Sequence, residues 1–403
     1  MSLAAGLLED LEPAHREVRA LAREFAEGEI APHAAEWNER HHVPLDVLRE
    51  MGELGLLGVI VPEELGGAGL DYTSLCLVVE ELARADAGVS VAVAVQNGLV
   101  ASPLLRSGTP EQQERWLPGL ASGRLMGAYA LTEPDAGSDT ASLRTEAVPA
   151  PDGSFVVRGS KQWITNGGFA DLYVLFARTD GPGARGVSAF VVERGPGLAV
   201  GREIPKMGLH TSSTVELAFD GLRVGPDRLL GARGEGLRIA LATLDGGRIT
   251  IAAQALGIAA AALELAVRHA RERTAFGGPI ARFQGVQFPL ADVAAKLEAA
   301  RLLTYRAARL RDAGRPHGVT GARAKLLASA VAVEAADVAV QTLGGYGYST
   351  EFPAERYYRD AKITELYEGT SEIQRVVIAR DLLGDAARGD GRGPARGRSA
   401  DRA

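Results

Sequence analysis

Four segments of this chain, one of them uniting Gln341–Gly347 with the stretch around Glu368, carry residues whose chemistry depends on their neighbours. Glu368 stands in Tyr367-Glu368-Gly369-Thr370, just ahead of an apolar run in which Ser371 and Gln374 read as a helix capping box. A carboxylate there is either a surface group favoured by the helix dipole or, if buried, a general base. Tyr129-Ala130-Leu131-Thr132-Glu133-Pro134-Asp135-Ala136-Gly137-Ser138-Asp139 mixes backbone-exposing Gly137 with hydroxyls, and in isolation is also an ordinary surface turn. Lys161-Gln162-Trp163-Ile164-Thr165-Asn166-Gly167 sets a large aromatic beside a hydroxyl donor, which suits either a core Trp or a stacking face with a donor for a planar ligand. Arg273-Thr274-Ala275-Phe276-Gly277, running on to Phe283 and Gln284, ends a helix with a guanidinium. That group is either solvated at the dipole or forks onto a phosphate. Gln341-Thr342-Leu343-Gly344-Gly345-Tyr346-Gly347 holds a glycine pair that ends a helix or admits another backbone closely.

Other patterns look chemical and read otherwise. Gly181-Pro182-Gly183-Ala184-Arg185-Gly186 spells the dinucleotide fingerprint, but a strand-like run, Val187–Val192, follows where that fingerprint needs a helix. It is read as a hairpin loop. The seven His residues are scattered without metal-ligand spacing, so no metal site is expected. No P-loop and no G-x-S-x-G elbow occurs.

These segments belong to a chain of 403 residues, 46% hydrophobic and 24% charged, which excludes fibrous, disordered and disulfide-scaffold classes. A net charge of −7 matches neither nucleic acid nor an anionic membrane. The single Cys76 forms no internal disulfide, and Met1–Ala20 carries Glu9, Asp10, Glu12 and Glu17, unlike a transit or signal peptide; a cytoplasmic location is expected. Ala87–Leu105 is uncharged and nearly long enough for a bilayer, but Ser90, Gln96, Asn97, Gly98, Ser102 and Pro103 mark it as a buried helix of a soluble core.

Periodicity divides the chain. Residues 1–125 read as helical, with Val18, Leu21, Ala22, Phe25 and Ile30 near helical spacing, although Val91–Val95 alternates as a strand would. Residues 126–232 hold short β-rich runs at Ser154–Val157, Leu172–Phe176, Val187–Val192 and Val215–Phe219, bounded by Gly, Pro and Asp, and predict a β barrel or sandwich. Residues 233–385 return to helical periodicity. Ile249, Ala252, Ala253, Leu256, Ala260, Leu263 and Val267 make one wide apolar face, and Glu264 pairs with Arg268 at i,i+4. Residues 386–403, with five Arg and no apolar anchor, read as a disordered tail.

At the four segments the chain resembles the acyl-CoA dehydrogenase family, most nearly its short-chain, butyryl-type members, over almost its whole length to about Leu383. The resemblance implies an α+β, mainly α fold: an N-terminal helical domain, a middle β domain and a C-terminal four-helix bundle. It implies FAD as cofactor, acyl-CoA as substrate, electron-transfer flavoprotein as electron acceptor and a homotetramer built as a dimer of dimers. By the same resemblance Tyr129, Leu131, Thr132, Gly137, Ser138, Trp163, Ile164 and Thr165 surround the flavin. Arg273 and Gln284 attend its pyrophosphate, Gln341, Gly344 and Gly345 reach it from a neighbouring subunit, and Phe276, Thr370 and Glu372 also touch FAD. Ser138, Asp245, Arg248 and Gly369 contact the substrate.

Glu368 matches the family's catalytic base, which takes the α-proton while the β-hydrogen passes as hydride to flavin N5. In other branches the base comes from the segment that here reads Asp245-Gly246-Gly247-Arg248, where Gly247 cannot act. Ser90–Gly98 lacks the Arg that a dicarboxylic, glutaryl-type substrate needs. An acyl-CoA oxidase, a flavin monooxygenase and an inactive acyl-CoA-binding relative share this fold as alternatives.

Overall fold

The computed structural model describes residues 11–384 and Ala386, so the tail reading, Ala386 apart, falls outside the described residues. The N-terminal third is helical: α1 (Pro13–Phe25), α2 (Ala34–Arg40), α3 (Leu45–Glu53), α4 (Tyr72–Ala85), α5 (Ala87–Ala94), α6 (Ser102–Ser107) and α7 (Pro110–Ala121). Side-chain caps fix where these helices begin. Asp71 Oδ1 accepts the Ser74 N–H at 2.7 Å, and Asp312, from far along the chain, accepts the Tyr72 and Thr73 N–H groups at 2.7 and 3.0 Å. The alternating stretch around Val91–Val95 is helical. It runs from α5 through a π-helical turn, Val95–Ala101, into α6, and 94% of its most apolar window is buried within the protein.

Eight strands form one sheet: β1 (Gly127–Ala130), β2 (Glu146–Pro149), β3 (Phe155–Thr165), β4 (Leu172–Arg178), β5 (Val187–Glu193), β6 (Leu198–Glu203), β7 (Thr214–Val224) and β8 (Leu229–Leu230). Their order is β6-β7-β3-β2-β4-β5-β8, with β1 parallel to β4. The pleat explains why β4 and β5 are apolar at nearly every position. Tyr173, Leu175 and Phe190 face a core internal to the sheet, whereas Leu172, Val174, Phe176 and Val191 face the helices. Gly181–Gly186 lies in the connection between β4 and β5, antiparallel with Arg178 opposite Val187.

The last third holds α8 (Gly236–Glu272), a small hairpin of β9 (Thr274–Ala275) and β10 (Gly278–Pro279), then α9 (Gln284–Asp312), α10 (Gly318–Leu343), α11 (Gly345–Tyr348), α12 (Ala354–Ile363) and α13 (Ser371–Leu383). The 37 residues of α8 span about 55 Å and make it the spine of the protein. Residues Gly246–Leu263 of α8 are buried on every side rather than along one stripe, because α4, α9 and α10 all pack on it. The crossing with α4 is tight at Gly257, where a Cβ would come within 2.7 Å of Ala83 Cβ.

One expected pair does not form. Glu264 Oε2 accepts from Arg84 Nη2 of α4 at 2.5 Å rather than pairing with Arg268. A partner across a half-buried helix contact outweighs an exposed i,i+4 neighbour, whose worth is only a few tenths of a kcal/mol.

Candidate active site

The site begins with a backbone feature. Glu368 has φ of 56°, in the left-handed region, and Gly369 follows at 90°. A non-glycine residue held there costs of the order of 1–3 kcal/mol, so the surroundings must impose it. Gln374 does part of this, its Nε2 donating to Gly369 O at 2.7 Å. The helix behind starts one residue earlier than the capping-box reading placed it. Thr370, not Ser371, is the N-cap, accepting from Ile373 N–H at 3.3 Å. Gln374 therefore sits past the third helical position and turns back to the Glu368–Gly369 loop instead of closing a box on Ser371.

This backbone aims the Glu368 carboxylate inward, where its Oε2 is buried without a hydrogen-bond partner among the described residues. Burial pushes its pKa up to about 7, against the opposing pull of the Lys325 and Arg248 cations. The neighbouring Tyr367 hydroxyl is tied to Gln254 Oε1 of α8.

Glu368 faces a cavity of about 630 Å³. Its helical wall comprises Val91, Val95 and Leu99 from α5 and the π turn, Leu241, Leu244 and Arg248 from α8, and Ile363, Leu366, Tyr367 and Ile373 around the base. The wider π turn projects Val95 and Leu99 into this space while its polar residues lock it elsewhere. Gln96 Nε2 donates to Leu120 O and Leu125 O at 2.8 and 2.9 Å, and its Oε1 accepts Gly127 N–H.

The opposite wall comes from the sheet: Tyr129, Leu131, Thr132, Gly137, Ser138, Trp163, Ile164 and Thr165. A buried ion pair sets it in place. Lys161 Nζ of β3 donates to Glu133 Oε1 at 2.7 Å and to Leu131 O at 2.9 Å, and Glu133 also accepts the N–H groups of Arg144 and Thr145. Trp163 has φ of 61° and is 54% exposed, so it is a wall residue and not a core Trp. Asn166, φ 63°, anchors the turn after it by donating to Ala92 O and Gly127 O at 3.3 and 3.2 Å.

Thr370 and Gly369 of the expected site also line this cavity, together with Arg248. Asp245 does not; its Oδ1 accepts from Arg248 Nη1 at 2.6 Å and so orients that side chain. Glu372 also lies outside, exposed and paired with Arg375 at 3.2 Å. A second group of expected residues gathers elsewhere within the one chain. Arg273, the C-cap of α8, has its guanidinium 5.8 Å from the Tyr346 ring beside Gly344 and Gly345, and Phe276 is 89% exposed on the hairpin that leads to Gln284. Gln341 closes α10 just ahead of that glycine pair.

The loop Pro205–Leu209, with Ser212 and Thr214, completes the cavity and was not singled out from the sequence. Leu209 adopts φ of 49°, fixed by its N–H donating to the buried Asp360 at 2.6 Å. Nothing in the local sequence signals this, since Asp360 lies far along the chain.

The site is thus an apolar slot with one raised-pKa carboxylate that has no hydrogen-bond partner among the described residues, faced by hydroxyls and a Trp, the combination of pocket and perturbed titratable group that marks an enzyme's active site. Comparison with known proteins gives the family. The N-terminal, middle and C-terminal domains described for acyl-CoA dehydrogenases match residues 12–124, 128–222 and 234–383. The mitochondrial short-chain specific acyl-CoA dehydrogenase of Mus musculus is 48% identical over 93% of this chain and 91% of its own. The structure of butyryl-CoA dehydrogenase from Megasphaera elsdenii superposes with a TM-score of 0.91 at 44% identity, over 93% of this chain and 99% of that one. A glutaryl-CoA dehydrogenase from Mycobacterium smegmatis in complex with FADH2 superposes with a TM-score of 0.90 at 32% identity, over 94% and 97%. The chain belongs to the acyl-CoA dehydrogenase family, a family of flavoprotein oxidoreductases.

Proposed function

We propose that the protein oxidises a short saturated acyl-CoA to the trans-2-enoyl-CoA, with FAD as its bound cofactor and Glu368 as the base. The observation that carries this reading is the orphaned Glu368 carboxylate at the wall of the cavity. The donor set also fits a flavin: Thr132, Thr165 and the half-exposed Trp163 offer hydroxyls and an aromatic face to a flat, polar-edged ring. When bound, FAD supplies the acceptor that takes the β-hydrogen with its electron pair.

The chain's own part begins with positioning. The apolar slot holds the acyl group, and the Glu368 N–H donates to the thioester carbonyl, which makes the neighbouring α-proton acidic enough to leave. Glu368 then accepts that proton at its free oxygen. Its pKa of about 7 leaves a useful ionised fraction at neutral pH and brings its basicity closer to that of the carbon acid. Thr165, on the cavity wall, would offer its hydroxyl as a donor to the edge of the bound ring, where it would steady added negative charge. Arg248, held by Asp245 and lining the cavity, is assigned here to the acyl-CoA.

Arg273, Phe276 and Gln284 gather with Gln341, Gly344 and Gly345 apart from the cavity of the same chain, which favours a cofactor seated in the cavity of one subunit and completed by this whole group from a second, in a dimer of dimers. Electron-transfer flavoprotein is the proposed acceptor for the reduced cofactor. The test is Glu368→Gln. The variant should stay yellow and assembled yet fail to bleach anaerobically with butyryl-CoA; rapid bleaching overturns the assignment.

A further inference from the structure

Behind the base stands a cation that its chemistry does not require. Lys325, on α10, is fully buried, and its Nζ donates to Gly369 O at 2.8 Å. Among the described residues it forms no ion pair, although buried lysines normally do. The same carbonyl accepts from Gln374 at 2.7 Å. Two donors on one carbonyl thus clamp the residue after Glu368, whose backbone is left-handed. Gln374 would suffice for a clamp; a lysine adds charge.

We propose that Lys325 is a positioning residue for the base, holding the Glu368 backbone through the Gly369 carbonyl and keeping the carboxylate ionised in its water-poor pocket. This rests on Glu368 being the base. Electrostatics supports the geometry: of the charges acting on Glu368, Lys325 exerts the largest pull toward the ionised form, ahead of Arg248. Burial in turn pulls the Lys325 ammonium down to about 8, with Glu368 the leading opposing influence.

The groups facing this pair come from several elements. Tyr72 of α4, Tyr129 of β1 and the adjacent Tyr367 border Glu368, and burial raises the pKa of each, keeping all three neutral. Arg248 of α8 faces both members, whereas Glu365 and Glu372 act on Lys325. No other lysine is placed against the carboxylate by these contacts. When Glu368 accepts the α-proton, Lys325 is left as a cation without its counter-charge, so the product state returns the proton readily.

The experiment compares Lys325→Gln, Lys325→Arg and Gln374→Leu with the parent enzyme. Each is checked for flavin content, then followed by anaerobic bleaching with butyryl-CoA across pH. Lys325→Gln keeps a donor but loses the charge; the acid limb of the rate should move up by about one pH unit, lowering the rate near pH 6 about tenfold. Gln374→Leu weakens the clamp alone and should slow bleaching without moving that limb. Lys325→Arg should slow bleaching with the limb in place, and it decides the matter if the Gln variant does not fold. A limb unmoved in Lys325→Gln, or moved upward in Lys325→Arg, overturns the proposal. If Glu368→Gln itself still bleaches, the base assignment fails instead.

Discussion

A Cβ on Gly247 would lie 2.9 Å from Glu368 Cδ, closer still to its Oε2, and 3.3 Å from Leu99 Cδ2. The carboxylate occupies the space that any side chain at 247 would need, so the two positions cannot both be filled without moving α8 or the loop. Gly247→Ala should favour α8 by about 1 kcal/mol of helix propensity. It should also displace the base, and a displacement near 1 Å lowers kcat/KM for butyryl-CoA by about 10²-fold. Flavin content should stay at the parent level. Anaerobic bleaching with the visible spectrum checks both, and an unchanged rate would mean that the carboxylate can retreat.

The raised Glu368 pKa fixes how stability depends on pH. Its carboxyl moves from 4.5 to about 7 on folding. Between those values the folded protein keeps a proton that the unfolded chain releases, so stability falls as pH rises through the window and is level above it. The shift corresponds to about 3 kcal/mol. Glu368→Gln should therefore be more stable than the parent at about pH 8 and lose that advantage toward about pH 4, in denaturant midpoints of the flavin-loaded protein. Asp360, buried and raised to about 7 with Asp86 adding to the effect, keeps a residual slope of the same sign in the variant. A parent and variant with parallel profiles would contradict the burial of Glu368.

Much of the site was legible because its residues are local in sequence. Thr132 to Ser138 and Trp163 to Thr165 reach one wall of the cavity through single turns, and the strand runs declared their edges with Gly, Pro and Asp. What sequence could not give are relationships that only packing creates. Lys325 and Gly369 meet because α10 passes under the loop, and Glu264 turns to Arg84 because α4 crosses α8 there. The capping box failed for a smaller reason: Thr370 and Ser371 are adjacent and both competent caps, and it is Thr370 that accepts from the Ile373 N–H.

The contact between α4 and α9 depends on a buried charge. Glu80 accepts from Arg301 Nη2 at 2.9 Å and from the Tyr305 hydroxyl at 2.6 Å, away from water. Burial opposes ionisation of Glu80, but Arg301 and Tyr305 outweigh it and hold its pKa below the usual range. Arg301→Met should cost about 3–5 kcal/mol because it strands a carboxylate. Adding Glu80→Gln should recover part of that loss. Denaturant titrations of both singles and the double variant measure the coupling, and strictly additive costs would show that the pair does not act as a unit.

The proposed sharing of FAD between subunits joins two properties that are usually separate. The hairpin after α8 carries Phe276, 89% exposed, with its ring 6.0 Å from Phe283 in an edge-on pair, and Tyr348 of α11 is 86% exposed. Aromatic rings left in water at this density, beside Arg273 and the Gly344–Gly345 pair, fit a surface covered by a second copy of the chain. Phe276→Asp places a charge in that contact without touching the Glu368 cavity. If the Glu368 cavity of one subunit and the Arg273–Gly344 group of the other hold the same cofactor, the variant should lose flavin in proportion to its dissociation. Sedimentation and flavin absorbance, measured on the same samples over a dilution series, should then fall together. A dissociated protein that keeps its full colour would mean that each chain binds the cofactor unaided, and the sharing would have to be abandoned while the role of Glu368 stood untouched.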